Sequence, residues 1–272
     1  MITELKTSGL PIYLDVTTCN LEFRDNLTCA GSVSRTAGQL KGLLCADPVP
    51  DENEPCYSAY RDIAFEGDRV VFQQHDFRYD ITVIQPGTIA GECKKTSGHY
   101  HGYIPGQANT YPEVYEVLLG QAIFILQKVM NFDREEEPVI DDLKAVFVEA
   151  GQAIIIPPFY GHCSINAGTG PLVFSNIAVV SCPIHYEPIR RKHGLAVYAQ
   201  REGDVVNLIP NPYYQHVPTP QRVLPKENPA LGITFGRPVY ESFLQDSEKF
   251  EFLIHPAAYE SEMRLMLDQI IP

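Results

Sequence analysis

Short β-rich runs separated by glycine and proline dominate residues 57–210, and they constrain the fold more than any other feature of the sequence. The runs are rich in β-branched and aromatic residues and follow one another at hairpin spacing. Such a pattern predicts antiparallel strands closed into a barrel or sandwich, and it does not fit βαβ units. The runs expected to form strands include 69–73, 79–85, 114–119, 122–127, 153–156 and 172–180.

The segment that precedes these runs has a different pattern. Residues 1–56 are expected to form an arm that carries one helix over 36–46. Thr36 and Gln39 have the spacing of a capping box, and leucines recur after them at helical period. With the barrel assigned to residues 57–214, we predict a mainly β domain with an N-terminal helix.

The C-terminal segment 215–272 is rich in proline and then becomes amphipathic. Four apolar residues near its end are spaced i, i+3, i+4 and i+7, which predicts a short helix. They are Met263, Met266, Leu267 and Ile270. We expect this extended and helical addition to pack on the barrel or on a neighbouring subunit, and so to cover strand edges that would otherwise invite unwanted pairing.

Charge narrows the classes of partner. The 272 residues carry 21 Lys and Arg against 34 Asp and Glu, a net charge of −13, with no basic run. Such a surface repels phosphate backbones and anionic membranes, so we expect neither nucleic acid nor membrane as a partner. An anionic small substrate would need a local site. No apolar stretch approaches the ~20 residues that span a bilayer, and the first twenty residues lack the basic-then-apolar layout of a signal peptide, so we expect a cytoplasmic protein.

The segment richest in chemical information contains His99 and His101. In an extended strand the side chains at i and i+2 point to the same face, so both imidazoles can reach one metal ion if the strand lines a cavity. Farther along, Glu113 precedes Gly120, and a glycine- and proline-punctuated run leads to His162.

This order of residues resembles the paired motifs of the cupin superfamily, whose fold is a double-stranded β-helix or jelly-roll barrel. The resemblance implies a metal site of three histidines and one glutamate, which fall here on His99, His101, Glu113 and His162. Glu113 is preferred to Glu116 because only Glu113 has the six-residue gap before the glycine. It implies one divalent metal ion per subunit, with iron expected first and manganese, nickel or zinc as substitutes. The donor set alone does not choose among them.

A narrower resemblance, over about residues 35–214, is to the cupin-type glucose-6-phosphate isomerases. It rests on the motifs at 78–82, 86–87, 95–101, 112–115 and 157–162, and on Tyr186 with the residues after it. It implies interconversion of glucose 6-phosphate and fructose 6-phosphate, as in glycolysis and gluconeogenesis, and a homodimer. The implied substrate contacts are Thr82, Thr96, Gly98 and Tyr186. The sugar-contacting histidine of that family aligns with Ile184, which leaves open whether His185 replaces it.

The chemistry of the reaction fits these residue types. Moving hydrogen between C1 and C2 develops charge on the adjacent oxygens, which a divalent metal stabilises as a Lewis acid. Glu113 is the candidate catalytic base of a cis-enediol route, with Tyr186 as a second candidate catalytic residue; a metal-guided hydride shift is the rival route. Two other functions stay open at this point. They are a cupin dioxygenase that uses the same ligands for iron, and a non-catalytic sugar-phosphate-binding cupin.

Overall fold

The structure is a computed structural model that describes residues 1–272. Its strands, numbered in chain order, are β1 Ile2–Glu4, β2 Ile12–Asp15, β3 Asn20–Phe23, β4 Thr28–Thr36, β5 Pro55–Ala64, β6 Phe77–Ile84, β7 Thr88–Ile89, β8 Glu92–Cys93, β9 Tyr100–His101, β10 Glu113–Leu119, β11 Gln121–Lys128, β12 Asp142–Glu149, β13 Ala153–Ile156, β14 Tyr160–Asn166, β15 Leu172–Val179, β16 Ile184–His185, β17 Val197–Glu202, β18 Val205–Pro210, β19 Gln221–Leu224 and β20 Gln269–Ile270.

Helices are short. The α-helices are α1 Arg69–Gln74, α2 Glu187–Arg191, α3 Val239–Gln245 and α4 Glu260–Leu265. The 3-10 helices are Lys6–Ser8, Gly38–Leu40, Pro229–Leu231, Ser247–Leu253 and Pro256–Tyr259. No helix is both long enough and apolar enough to cross a membrane.

Two sheets form the barrel. The large sheet has the strand order β13-β10-β15-β6-β5-β4, and every pair in it is antiparallel. The facing sheet has the order β14-β11-β12-β19-β20, in which β19 runs parallel to β12. Fifteen buried residues contributed mainly by these two sheets, among them Phe124, Val146 and Phe174, form one apolar cluster between them. The predicted cupin barrel, two mainly antiparallel sheets packed face to face, is confirmed.

The outer face of each sheet is buried as well. A cluster of 33 residues covers the large sheet, and residues of β1–β3 and of the C-terminal segment contribute to it. A second cluster of 23 residues covers the facing sheet. Strands buried on both faces are apolar at successive positions, as in 153–156 and, apart from Ser175 and Asn176, in 172–179. This burial explains why the predicted strands read as continuous apolar runs.

The flanking segments are integrated into the barrel. Strand β4, which lies within the segment expected to be an arm, is the edge strand of the large sheet. From the C-terminal segment, β19 and β20 extend the facing sheet. Phe243, Phe250 and Phe252 are fully buried against the large sheet.

The strand predicted at 69–73 is wrong, because these residues form helix α1. Phe72 is buried, with its ring centroid 4.6 Å from that of Phe243 and 5.3 Å from that of Tyr240, whereas Val70 is exposed. One buried side chain per turn suits a helix on the outside of the barrel. Packing against a segment more than 160 residues away overrides the strand preference of the β-branched residues.

Two predicted helices are shorter than expected. Over 36–46 only the 3-10 turn Gly38–Leu40 forms, because the chain leaves the helical conformation at Lys41, whose ψ is 135°, and Gly42 follows with a left-handed φ of +76°. Near the C-terminus, α4 buries Met263 but ends at residue 265. Ile270 is exposed and pairs through its backbone with β19, so sheet pairing replaces the last predicted helical turn.

Candidate active site

Three strands and one turn bring the four proposed metal ligands together at one end of the barrel. His99 forms a single bridge to β14, His101 lies on β9, Glu113 begins β10 and His162 lies on β14. One donor atom from each of the four lies within 4.8 Å of those of the others. The first and last of the four, His99 and His162, are 63 positions apart in the sequence. The four side chains therefore form one compact cluster of three nitrogen donors and one oxygen donor.

Close backbone pairing places the first histidine. The His99 N–H donates to the His162 carbonyl oxygen at 3.1 Å, and the His162 N–H donates back to His99 at 3.0 Å. Gly98, with a φ of +73°, makes the turn that precedes this bridge, and a Cβ there would lie 3.1 Å from the His162 carbonyl oxygen. Only glycine adopts this conformation freely at so close an approach.

Hydrogen bonds behind the ligands orient two of the imidazole rings. The Nδ1 of His101 lies 2.9 Å from the carbonyl oxygen of Tyr111, and the Nδ1 of His162 lies 3.2 Å from that of Tyr160. A ring whose Nδ1 is held by a backbone carbonyl oxygen has its Nε2 turned toward the cluster. Both Nε2 atoms lie close to Glu113 Oε2, at 3.2 and 3.3 Å.

The Glu113 carboxylate is held by four groups although it is buried. Burial alone would raise its pKa, but hydrogen bonds with His101 and His162 hold the pKa of Glu113 well below its ordinary value. Asn176 donates to Oε1 at 2.8 Å, and the Tyr115 hydroxyl donates to Oε2 at 2.9 Å. Burial, together with the charge of Glu113, raises the pKa of Tyr115 well above the ordinary value, so its hydroxyl remains a donor.

The cluster fits a divalent metal ion. Burial, and then the neighbouring His162 and His101, hold the pKa of His99 well below its ordinary value, so its imidazole is neutral at pH 7. The Nε2 atoms of His99 and His101 face each other at 3.1 Å. Three imidazoles and one carboxylate that converge in a buried pocket are the donors expected for iron, zinc, nickel or manganese.

The cluster opens into a cavity of about 220 Å³ lined by 22 residues. Thr82, Thr96 and Tyr186, three of the expected substrate contacts, line it, but Gly98 does not. The tyrosine ring lies 5.7 Å from that of His99. Ile184 also faces the cavity, whereas His185 points away from it, with its ring centroid 5.7 Å from that of Phe132. His185 therefore does not line the cavity.

Several cavity residues were not assigned a role from the sequence. Tyr115 could have been found, because it lies two residues after Glu113 on the same strand and so shares its face. Asn176 carries no local signal, since it reaches Glu113 from β15, 63 residues away. Arg61 and Arg78 also line the cavity, on the neighbouring strands β5 and β6.

Comparison with known proteins identifies the family. A sequence model of the family described as glucose-6-phosphate isomerase (GPI) matches residues 34–216, about two thirds of the chain. The chain belongs to this family. The GPI match covers the last three residues of β4, strands β5 to β18 and all four residues of the proposed metal-ligand cluster, and it ends before the C-terminal aromatic residues of the outer core.

Individual members of the GPI family are distant in sequence. The chain is 26% identical to the glucose-6-phosphate isomerase of Thermococcus litoralis over 157 residues, which are 54% of this chain and 75% of that protein. For the enzyme of Pyrococcus furiosus the identity is 24%, covering 58% of this chain and 79% of the relative. A putative glucose-6-phosphate isomerase 2 of Rhizobium meliloti is 25% identical, covering 56% and 72%.

Solved structures similar to this chain include an oxalate oxidase and the oxalate decarboxylase of Lactobacillus farciminis. The oxidase is 14% identical with a TM-score of 0.32, covering 43% of this chain and 49% of its own. The decarboxylase is 20% identical with a TM-score of 0.30, covering 45% and 28%.

Proposed function

We propose that this protein is a metal-dependent isomerase that interconverts glucose 6-phosphate and fructose 6-phosphate. The observation that supports it most strongly is the convergence of His99, His101, Glu113 and His162, within 4.8 Å of one another, inside the part of the chain that matches the GPI family. These four residues would hold one divalent ion. When bound, the ion supplies Lewis acidity that stabilises negative charge on the substrate oxygens.

Glu113 is the proposed base. Its carboxylate is ionised, because the hydrogen bonds that hold its pKa low outweigh burial. Asn176 on Oε1 and Tyr115 on Oε2 fix its plane without neutralising it. A fixed, ionised carboxylate can accept the proton from C2 and return it to C1, which is the cis-enediol route.

Threonines and a tyrosine on the cavity wall are the proposed contacts to the rest of the substrate. The Oγ1 of Thr96 accepts the Ser164 N–H at 3.0 Å, so its own proton remains available to a phosphate oxygen. Thr82 lines the cavity from β6, and Tyr186 does so beside α2. Gly98 lies behind this wall, and any contact it makes would be through its backbone.

A coupled isomerase assay tests the proposal. Chelation should abolish activity, and addition of Fe²⁺, Mn²⁺, Ni²⁺ or Zn²⁺ should restore it to different extents, which ranks the metals. His162→Ala should lose most bound metal and most activity, because a three-ligand site binds weakly. His216→Ala, which removes an exposed histidine outside the cluster, is the matched control. Normal metal content and activity in His162→Ala would contradict the ligand assignment.

The route is tested separately by running the reaction in deuterated water. A proton that passes through Glu113 exchanges with solvent in part of the turnovers, so the product should contain deuterium at the transferred position. Complete absence of deuterium would reject the enediol route and favour a hydride shift.

The homodimer also remains a prediction, which light scattering on the full chain tests.

A further inference from the structure

Two arginines give the cavity a local positive centre in an acidic protein. Arg61 on β5 and Arg78 on β6 are the only lysine or arginine residues among the 22 that line it. The whole chain carries a net charge of −13, so its overall field repels an anionic ligand. These two guanidinium groups are therefore the lysine or arginine charges nearest to hand for an anionic ligand inside the cavity.

A buried carboxylate fixes both groups. Oδ2 of Asp80 accepts Nη1 of Arg61 at 2.6 Å and Nε of Arg78 at 2.9 Å, and its Oδ1 accepts the Asp62 N–H at 2.8 Å. Asp80 is fully buried, whereas the two arginine side chains are 41% and 33% exposed. A guanidinium has five N–H donors, and each of these two makes one hydrogen bond within the protein. Most of their donors are free for a ligand.

The register of the large sheet places Asp80 and its two arginines level with the metal-ligand cluster. Asp80 pairs with Asn176 on β15, and Asn176 pairs with Tyr115 on β10. Asn176 and Tyr115 are the residues that hydrogen-bond Glu113. Thr82 lies two residues farther along β6, about 7 Å away along the strand, and pairs with Ala59. The arginines thus lie at the level of the reacting end of the substrate and away from the proposed phosphate contact.

We propose that Arg61 is a further catalytic residue, which donates N–H groups to the substrate oxygen that becomes negatively charged as hydrogen leaves C2. This inference rests on the proposed function. Asp80 is a positioning residue that holds the guanidinium across the cavity from the histidines, and Arg78 balances the charge of Asp80. Donors fixed in place before the reaction stabilise developing charge more than the neutral substrate, so the effect falls on kcat rather than on KM.

Kinetics of two Arg61 variants test this role. In metal-loaded protein, Arg61→Gln should lower kcat for fructose 6-phosphate about 100-fold while KM changes less than threefold. Arg61→Lys keeps the charge without the planar fork and should recover part of the loss. Arg24→Gln, which removes an exposed, ion-paired arginine of the N-terminal segment, is the matched control. A thermal midpoint near that of the wild type shows that each variant is folded.

Calorimetry supplies a readout that is independent of turnover. Gluconate 6-phosphate has a carboxylate at C1, where the proposed charged oxygen of the substrate lies. Arg61→Gln should therefore bind it about 10- to 100-fold more weakly than the wild type does. Both proteins should bind inorganic phosphate equally well. An equal loss of affinity for inorganic phosphate would overturn the proposal, because Arg61 would then bind the phosphate group. An unchanged kcat in a folded Arg61→Gln would also overturn it. A wild-type protein without isomerase activity would instead refute the proposed function.

Discussion

Replacing Glu116 with glutamine should remove one defined part of the pH dependence of stability. Glu116 lies on β10 and is 2% exposed, on the face opposite to Glu113. Its Oε2 accepts the Val239 N–H at 3.1 Å and the Ser175 hydroxyl at 3.4 Å, and no cation pairs with it. Burial raises the pKa of Glu116 to about 8, and those two hydrogen bonds only partly oppose this.

The sign and the size of the contribution of Glu116 to the free energy of unfolding follow from the linkage between protonation and folding. A carboxyl with a raised pKa in the folded state contributes stability that is fully present below its unfolded pKa of 4.5. That contribution is lost as pH rises through about 8. As pH rises from 5 to 9, we expect Glu116 to lower the free energy of unfolding by about 2 to 4 kcal/mol. Glutamine keeps the size and the acceptor oxygen but does not ionise.

Urea unfolding of the wild type and Glu116→Gln at pH 5 and pH 9, with chelator present, measures this difference. The free energy of unfolding of the variant relative to wild type should rise by about 2 to 4 kcal/mol from pH 5 to pH 9. Glu149→Gln, which replaces an exposed carboxylate on β12, should show no such change. A change below about 1 kcal/mol for Glu116→Gln would refute the reasoning, since it would mean that Glu116 ionises at no cost in the fold.

Two further changes test how the barrel supports the metal-ligand cluster. Gly161→Ala would place a Cβ 2.3 to 2.6 Å from the Tyr100 ring. We therefore expect a lower melting temperature and at least about tenfold weaker metal binding. In the control variant Gly170→Ala the new Cβ meets nothing within 4 Å, so both quantities should be unchanged. Equal metal affinity in both variants would contradict the expectation that the Tyr100 contact at Gly161 supports the metal-ligand cluster. A chain ending at residue 214 loses β19, β20 and the buried Phe243, Phe250 and Phe252, so it should show no cooperative unfolding transition; a wild-type urea midpoint would contradict that.

The barrel could be predicted because its strands are buried on both faces, which leaves long apolar runs between turn residues. The histidines could be predicted because i and i+2 spacing fixes a common face whatever surrounds the strand. Their convergence on Glu113 was accessible only through the order and gaps of the two motifs.

Other features depend on partners that are distant in the chain. Helix α1 was predicted as a strand because its residues favour strands, and its helical form is stabilised by contacts of Phe72 with Tyr240 and Phe243. The orientation of Glu113 by Asn176 and the joining of Arg61 to Arg78 through Asp80 are likewise cross-strand contacts. No local pattern encodes which strands become neighbours, so these contacts had to be read from the structure.

The segment 99–101, which carries two of the histidines, is held in place by contacts on its side facing the outer core. Tyr100, between His99 and His101, points into the outer core, where its ring stacks on Phe132 at 4.8 Å and its hydroxyl accepts a hydrogen bond from Gln127. These contacts do not involve the ligand atoms. We therefore expect that a cation held by these histidines can be removed and replaced while the barrel stays folded, so that the supply of metal ions, and not folding, would decide which ion is bound.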